Sequence, residues 1–294
     1  LNECPLLNGT IITPAMSGML YIVATPIGNL EDITLRALRI LGSVDLVAAE
    51  DTRRTKRLLS HYGISTYTSS FHAHNVHTRL PQLLKRLQKG ESIAVVSDAG
   101  TPGISDPGTE IIQACITTEI PIEVLPGPSA LLTALVLSGF PNEGTIFLGF
   151  PPNRGKARKE WFESLAQLHK TVITFEAPHR IKNFLEKLSY FLGDRPIVSC
   201  RELTKLHQEV LRGSAQDVLK QLKTTKGEFT IVIGPLDTNL NLENEVIDVD
   251  KLLIELGRLT KIDGLGRREA VRKLAKKYTR RSNEIYKLIE ESKK

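Results

Sequence analysis

The sequence predicts an α/β fold made of two α/β domains, followed by a small basic helical module at the C-terminus. Short apolar runs that end in turn or polar residues alternate with stretches of helical periodicity, which is the pattern of β-α-β units. The chain has 294 residues, a length that suits two domains, and its hydrophobic content of 41% is ordinary for a protein with a sizeable core.

Two sets of buried strands are predicted from apolar runs bounded by turn residues. They cover residues 20–25, 45–50, 92–98 and 122–127 in the first set and 145–150, 171–177, 195–200 and 228–234 in the second. Apolar residues between 30 and 41 follow helical spacing, so we predict one helix there with Asn29 as its N-cap. Further helices are predicted at 81–90, which a glycine closes, and at 179–193.

The turn-rich stretch SGFPNEG at 138–144 is the predicted boundary between the domains. The resulting plan has a disordered tail at 1–18, an N-terminal domain at 19–141, a C-terminal domain at 142–236, a linker at 237–247 and the basic helical module at 248–294. The tail is predicted because that stretch shows no periodicity and stops just before a strand.

The positive charge is concentrated at the C-terminal end. Residues 261–294 carry 12 Lys or Arg against 5 Asp or Glu, whereas the preceding 260 residues carry 27 against 28. Helical spacing places five residues near one apolar face: Ala270, Leu274, Tyr278, Ile285 and Leu288. Two interpretations fit this pattern, a solvated face on a packed helix pair and a nucleic-acid-binding surface that gains affinity from counterion release.

Several function classes are disfavoured by composition. No apolar run approaches the roughly 20 residues of a membrane span, so we expect a cytoplasmic protein. Cys4, Cys115 and Cys200 are too few and too scattered for a disulfide framework or a zinc site, and we interpret them as buried thiols. The stretch FHAHNVH at 71–77 holds three histidines, but we expect a structural or substrate-facing loop there and no metal.

Loops that follow the predicted strands are the best candidates for a ligand site, because ligands of open α/β sheets bind outside the carboxyl ends of the strands. The loop SDAGTPGISDPG at 97–108 is rich in glycine and proline and has no lysine or arginine. Its backbone N–H groups could approach a carboxylate, and Asp98 and Asp106 would tolerate a positive centre. The alternative is a tight structural turn.

Two further loops belong to the same edge. VATPIGNL at 23–30 follows the first strand but lacks the G-x-G-x-x-G and G-K-[ST] patterns, which argues against a dinucleotide or NTP site. PGPSA at 126–130 is a second strand-to-helix turn with a small hydroxyl residue at the start of the helix. The loops SDAGTPGISDPG and PGPSA are both suited to bind a ligand, and their place at one edge of the sheet predicts a pocket.

Seven motifs in order carry a resemblance to a known family. They are TPIGNLEDIT, EDTRRT, SDAGTPGISDPG, PGPSA, FEAPHRI, RELTK and KGEFTIVIG, within residues 19 to about 236. Together they resemble the tetrapyrrole methylase superfamily and, within it, the ribosomal RNA small subunit methyltransferase I family. The resemblance implies a homodimeric two-domain α/β enzyme with S-adenosylmethionine in the cleft between the domains. It also implies 2′-O-ribose methylation of cytidine 1402 of 16S rRNA in the small ribosomal subunit.

The resemblance also implies site residues. The cofactor-binding set is Pro26, Asp98, Ala99, Gly100, Thr101, Ile104, Ser129, Ala130, Glu176, Leu203 and Phe229. The last three are expected to follow strands of the second domain. This chain departs from the family in the histidine stretch, where Val76 stands in place of a glutamate.

Methyl transfer to a ribose hydroxyl favours a general base within hydrogen-bond reach of the hydroxyl. The candidates are Glu50, Asp51, Glu176, His179, Glu202 and Lys205, of which Glu50, Glu176 and Lys205 are the leading three. The predicted contacts to RNA are Arg53, His179, Arg180 and Arg201. The alternative for each is a salt bridge within the cleft. Two other functions stay open, methylation of a porphyrin-like small molecule and a non-catalytic role in ribosome assembly.

Overall fold

The structure, a computed structural model, describes residues 18–106, 108–236, 249–261, 265–278 and 282–291. The predicted disordered tail, apart from Gly18, and the whole of the predicted linker lie outside the described residues. The chain divides into two compact units, residues 1–235 and 236–294. The α/β fold class is confirmed.

The first sheet has five parallel strands in the order β3-β2-β4-β1-β5. Its strands are β1 Leu20–Val23, β2 Leu46–Ala49, β3 Thr68–Ser70, β4 Ile93–Val96 and β5 Ile122–Leu125. Its helices are α1 Leu35–Ser43, α2 Thr52–His61, α3 Val76–Gln88, α4 Thr109–Thr117 and α5 Ala130–Ser138. Alternate strand residues pack against α3 and α4 on one face and against α1 and α2 on the other.

The second sheet is mixed, with the order β6-β7-β10-β8-β9. Its strands are β6 Ile146–Phe147, β7 Val172–Glu176, β8 Pro196–Arg201, β9 Glu209–Ser214 and β10 Phe229–Ile233. Only the β6–β7 pair is parallel. One face packs against three helices: α6 Gly155–Ala166, α7 Ile181–Leu192 and α8 Ala215–Gln221.

The other face of the second sheet packs against α5 and the loop that follows β1. Ile173, Val198 and Val232 of the sheet share one apolar cluster with Ala134 of α5 and with Ile27. Helix α5 is largely apolar, and Ala130, Leu131 and Leu135 join Ala134 in this cluster. Helix α5 therefore fixes the second sheet beside the loops of the first.

Four local predictions were wrong. The helix expected over 30–41 is a 3-10 turn at Leu30–Asp32, capped by Asn29, followed by α1, because the Thr34 side chain accepts the Ala37 N–H and starts a new helix. Strands β3 and β9 were not predicted, since both are largely polar. The strand expected over 145–150 is only two residues long. β5 is not fully buried, because it is an edge strand with Val124 54% exposed.

Other predictions are confirmed. Helix α7 occupies its predicted stretch with Gly193 as its C-cap, and α3 covers most of its predicted stretch but begins five residues earlier, at Val76. Cys115 and Cys200 are buried free thiols, and burial raises the pKa of each to about 11, so neither is a reactive thiolate. Cys4 lies outside the described residues.

The C-terminal unit is helical. It contains α9 Val249–Lys261, α10 Arg267–Lys277 and α11 Ser282–Glu291. Its core confirms the predicted apolar face, with Ala270, Leu274 and Ile285 buried and Tyr278 and Leu288 packed against that core. Across the described residues, no helix combines the length and apolar character needed to cross a membrane.

Candidate active site

A cavity of about 360 Å³ opens between the two sheets of the N-terminal unit. The loop after β4, the first turn of α5, the end of β7, the loop after β8 and the start of β10 form its walls. Ten of the eleven predicted cofactor residues line it: Asp98, Ala99, Gly100, Thr101, Ile104, Ser129, Ala130, Glu176, Leu203 and Phe229. Pro26, the eleventh, lines an adjoining cavity instead.

Phe229 reaches the cavity for a different reason from the one predicted. It begins β10 and does not follow a strand. Because β10 runs antiparallel to β7 and β8, Phe229 pairs with Glu176 and Arg201, the last residues of those strands. The start of one strand therefore lies at the same edge as the ends of its neighbours.

The glycine-proline loop is held by the loop that follows β1. Thr25 and Gly100 exchange both backbone hydrogen bonds, at 2.9 and 3.0 Å, and the Thr25 hydroxyl donates to the Ser97 carbonyl. The Gly100 N–H is thus occupied and does not face a ligand, contrary to our expectation for the glycines. Gly100 supplies a positive φ of 81°, and Ser105 adopts a φ of 66°, a conformation that non-glycine residues rarely hold outside constrained sites.

One wall of the cavity is apolar and partly aromatic. Phe150 and Phe175 lie with their ring centroids 5.4 Å apart in a tilted arrangement, and Ile104, Leu131 and Phe229 extend the surface. Such a wall suits a planar heterocycle, which gains from burial and from aromatic contacts.

The first turn of α5 faces the same cavity. Ser129 is the N-cap, and its hydroxyl accepts the Leu132 N–H at 3.4 Å. The Ala130 and Leu131 N–H groups have no backbone partner within the described part of the chain. A helix start with free N–H groups carries partial positive charge and suits a carboxylate.

The opposite wall is acidic. Asp98 accepts the Asp51 N–H at 3.0 Å and pairs with Arg54 at 3.4 Å, and Glu50 accepts the Asp98 N–H at 3.3 Å. Burial, together with the charges of Glu50 and Asp98, raises the pKa of Asp106 to about 7. The sequence analysis named Asp106 beside Asp98 as suited to a positive centre but left it out of the cofactor-binding set, and the structure places it in the lining of the cavity. This wall suits a positively charged centre.

Comparison with known proteins identifies the family. A family model described as tetrapyrrole (corrin/porphyrin) methylases matches residues 19–219. A Synechocystis protein named ribosomal RNA small subunit methyltransferase I is 43% identical over 281 residues, which cover 92% of this chain and 97% of that protein. The chain belongs to the ribosomal RNA small subunit methyltransferase I family.

The relatives differ in how much of this chain they match. A family member of the same name from Halalkalibacterium halodurans is 45% identical over 218 residues, 74% of this chain and 75% of that protein. The Thermotoga maritima member is also 45% identical, over 219 residues that cover 74% of this chain but 98% of its own length. The match therefore covers nearly all of the Thermotoga protein but leaves part of this chain without a counterpart.

Solved structures share the fold at low sequence identity. A diphthine synthase covers 74% of this chain with a TM-score of 0.60 and 15% identity, and aligns over 90% of its own length. A Thermus thermophilus uroporphyrin-III C-methyltransferase, solved in complex with S-adenyl homocysteine, covers 73% with a TM-score of 0.54 and 16% identity, over 97% of its length. These similarities confirm the methylase fold of the family.

Glu176 is a leading candidate for the general base, but its carboxylate forms ion pairs and a hydrogen bond within the protein. Its side chain is buried, with one oxygen 2.9 Å from the Arg158 guanidinium and the other accepting the Ala177 N–H at 2.8 Å and lying 2.7 Å from Arg180. Arg180 also bonds the Asn153 side chain. The geometry favours the salt-bridge interpretation for both Glu176 and Arg180.

Lys205 is also paired. Its ammonium lies 2.9 Å from Glu202 and 2.9 Å from Glu228. Burial alone would lower the pKa of Lys205, but hydrogen bonds to the two carboxylates outweigh it, and the pKa is raised. The pKa of Glu202 is lowered in turn, since its bonds to Lys205 and to the Glu228 N–H outweigh its burial. A lysine held in the charged form is a poor base at neutral pH.

The remaining candidates lie outside the cavity walls. Arg53 is exposed and pairs with Asp51 at 2.8 Å, and its hydrogen bonds hold the pKa of Asp51 well below the usual range. Arg201 pairs with Glu209 at 3.1 Å, and His179 is exposed.

Glu50 is the leading candidate for the general base that lines the cavity. Its carboxylate forms no ion pair among the described residues.

Within the histidine stretch at 71–77, His72 contacts neighbouring side chains of the same stretch. The His72 ring contacts the Asn75 amide at 3.2 Å and lies edge-on to His74 with centroids 6.0 Å apart. Within the described ranges, no group of three His, Cys, Asp or Glu side chains is placed to hold a metal ion.

Proposed function

We propose that this protein transfers a methyl group from S-adenosylmethionine to the ribose 2′-hydroxyl of cytidine 1402 in the 16S rRNA of the small ribosomal subunit. The observation that carries the proposal is the 43% identity to a relative named ribosomal RNA small subunit methyltransferase I, over nearly the full length of that relative. A substrate within the ribosome implies activity in the cytoplasm.

The cavity fits S-adenosylmethionine in three respects. The Phe150 and Phe175 wall suits the adenine ring, the first turn of α5 suits the methionine carboxylate, and the acidic wall at Asp98 and Asp106 suits the sulfonium. S-adenosylmethionine supplies an activated methyl group when it is bound. The chain's own task is to hold the reacting groups in line, and such positioning can contribute about 7–11 kcal/mol.

Glu50 is the best-placed general base of the three leading candidates. One of its oxygens accepts the Asp98 N–H, which fixes the carboxylate at the cavity wall, and the other oxygen has no hydrogen-bond donor among the described residues. From that position the free oxygen can take the proton of an acceptor hydroxyl. Glu176 and Lys205 instead serve to build the walls.

The C-terminal unit is proposed to bind ribosomal RNA. Arg268, Arg272 and Lys273 of α10 are all exposed, and they add to the positive charge of the last 34 residues. Contacts of this kind neutralise phosphates and weaken as salt rises. Because the cofactor cavity and Glu50 belong to the N-terminal unit, RNA affinity and not catalysis is the property we assign to the C-terminal unit.

A homodimer is part of the proposal. Leu132 and Val136 lie one turn apart on α5 and are 57% and 80% exposed, while Ala134 and Ser138 of the same helix are buried. Neighbouring exposed apolar side chains on one helix suit a subunit contact. Molar mass from light scattering tests this, with Leu132→Lys expected to give a monomer.

Methylation of a porphyrin-like small molecule is the second candidate. It is favoured by the fold similarity to uroporphyrin methyltransferases, which shows the fold alone at 21% identity or less. A non-catalytic assembly factor is the third candidate, and it would bind subunits without transferring methyl groups.

The decisive experiment is transfer of labelled methyl from S-adenosylmethionine to small ribosomal subunits that lack the modification, followed by nuclease mapping of the labelled nucleoside. We expect label on a cytidine 2′-oxygen, and a rate reduced at least about 100-fold in Glu50→Gln. Intact cofactor binding without label in RNA would exclude the RNA assignment, and label in an added porphyrin-like acceptor would establish the second candidate.

A further inference from the structure

A second cavity, of about 260 Å³, adjoins the cofactor cavity. We infer that it receives the ribonucleotide whose hydroxyl is methylated, and that Arg54 and Arg57 of α2 bind the phosphates on either side of that nucleotide. This inference rests on the proposed function and deepens it by naming the substrate site.

The position of the second cavity is the first argument. The two cavities share a boundary, because five residues line both of them: Ile27, Arg54, Asp98, Ala99 and Glu228. A methyl group can move in one step only between ligands that touch. The second cavity is therefore where an acceptor can meet the cofactor.

The charge of the second cavity is the second argument. Arg54 and Arg57 lie three residues apart, hence on the same side of α2, and both line the cavity. Arg57 is exposed and forms no ion pair or hydrogen bond within the described part of the chain. Arg54 is 60% exposed at its side chain and has a single long ion pair, at 3.4 Å, with Asp98. Both guanidinium groups are available to phosphate oxygens.

Of the arginines predicted from the sequence, Arg53 lines none of the three cavities, and the other two are held by carboxylates. Arg180 is held by Glu176 and Asn153, and Arg201 by Glu209. Lys205 also lines the second cavity, but Glu202 and Glu228 balance its charge. The uncompensated positive charge of this cavity consequently lies on the α2 side.

The floor between these walls is apolar. Pro26, Ile27, Leu30 and Leu58 line it, and no aromatic side chain does so. Such a surface can cover the face of an unstacked base. Sequence-specific RNA recognition commonly targets bases that have been turned out of their stack. The volume is below the roughly 300–1,000 Å³ of pockets that enclose drug-sized ligands, which suits one nucleoside better than a macrocycle.

A third, more open groove continues from the second cavity. Gly28, Leu30 and Lys205 line both, and the groove runs on past His61 and Leu206. The Leu206 side chain is 94% exposed there. A continuous path from the cofactor cavity to the surface fits a strand entering with its neighbouring nucleotides.

The test compares Arg57→Ala and Arg54→Ala with Lys56→Ala, an exposed cation on the same helix that lines none of the three cavities. We expect each arginine variant to raise KM for small subunits about tenfold. Subunit binding in the presence of S-adenosylhomocysteine, measured by filter retention from 50 to 200 mM KCl, should show a salt slope smaller by about 1 in each variant. Lys56→Ala should change neither quantity, and Arg57→Ala, whose side chain does not line the cofactor cavity, should keep the calorimetric affinity for S-adenosylmethionine.

Arg57→Lys separates a phosphate contact from a folding defect, because it keeps the charge and should restore part of the affinity. Unchanged KM and salt slope in both arginine variants, with an active wild-type enzyme, would overturn the inference while leaving the proposed function intact. A wild-type protein that binds S-adenosylmethionine but methylates no ribosomal RNA would overturn the proposed function and this inference together.

Discussion

Asp106 is the cavity carboxyl whose protonation changes near neutral pH. Its pKa is raised to about 7 from 3.8, first by burial and then by the charges of Glu50 and Asp98. Between about pH 4 and 7 the native state keeps a proton that the unfolded chain has released, so this group lowers the free energy of unfolding as pH rises through that window. A bound cation offsets the cost of ionising it.

We therefore predict that S-adenosylmethionine binds about tenfold more tightly at pH 8 than at pH 6, in proportion to the ionised fraction of Asp106. S-adenosylhomocysteine, which lacks the sulfonium charge, should show a much smaller change. Calorimetric titration of both ligands at the two pH values checks this, and Asp106→Asn should abolish the difference. Identical pH dependence for the two ligands in the wild type would contradict the assignment of this wall to the sulfonium.

Arg158 has a structural role that the sequence did not reveal. Its side chain is buried, donates to the Pro152 carbonyl and to Glu176, and lies over the Phe162 ring at 5.4 Å. Removing it leaves the Glu176 carboxylate buried with one of its two arginines missing, and the loss of a buried partner is strongly destabilising.

Arg158→Met should lower the free energy of unfolding by about 3–5 kcal/mol in urea titration. Its neighbour Lys159, whose pair with Glu163 is exposed, provides the control, and Lys159→Met should change stability by less than about 1 kcal/mol. Adding Glu176→Gln to Arg158→Met should recover part of the loss, because the amide carries no charge. Equal effects of the two methionine variants would rule out a structural role for the buried pair.

The loop after β8 and the loop after β1 meet so closely that only glycine fits at position 28. A Cβ there would lie 2.4 Å from the Lys205 side chain and 2.8 Å from the Leu203 carbonyl. Glu202 and Thr204 in the β8 loop adopt positive φ angles of 51° and 64°, so that loop already holds a constrained shape. The contact joins the two sheets below the cavity that Leu203 lines.

Gly28→Ala should displace the β8 loop and weaken S-adenosylmethionine binding at least about tenfold, with a loss of about 1–3 kcal/mol in stability. Gly42→Ala in α1 is the matched control, because its Cβ would meet its nearest neighbour at an ordinary 3.9 Å. That variant should be neutral or stabilising by up to about 1 kcal/mol. Cofactor affinity and thermal melting measured for both variants decide the prediction, which fails if Gly28→Ala binds as the wild type does.

Because the chain forms two compact units, the N-terminal unit can be separated from the C-terminal unit by truncation. Contacts within residues 1–235 and within residues 236–294 define the units, and both sheets and the cofactor cavity belong to the first. The Thermotoga relative shows that a family member exists with little more than the 219 residues matched by this chain. The first unit should accordingly fold alone.

A chain ending at Pro235 should retain the affinity for S-adenosylmethionine and the thermal unfolding of the N-terminal unit. Its affinity for small subunits should fall at least about tenfold at 150 mM KCl, with a salt slope smaller by about 2–3, because exposed cations of the C-terminal unit are removed. Filter binding at several salt concentrations provides the measurement. Full subunit affinity in the truncated chain would show that the C-terminal unit has another task.

The sequence by itself determined the α/β class, the ligand-binding loops and the family, because these depend on local periodicity, turn residues and motif order. Tertiary structure decided the antiparallel course of β10, which places Phe229 at the cavity. It also decided which charges are free. Glu176 and Lys205 each have one partner close in sequence and a second partner 18 or 23 residues away, whereas Arg57 has none among the described residues. Pairing between distant residues follows from packing, which local patterns do not encode.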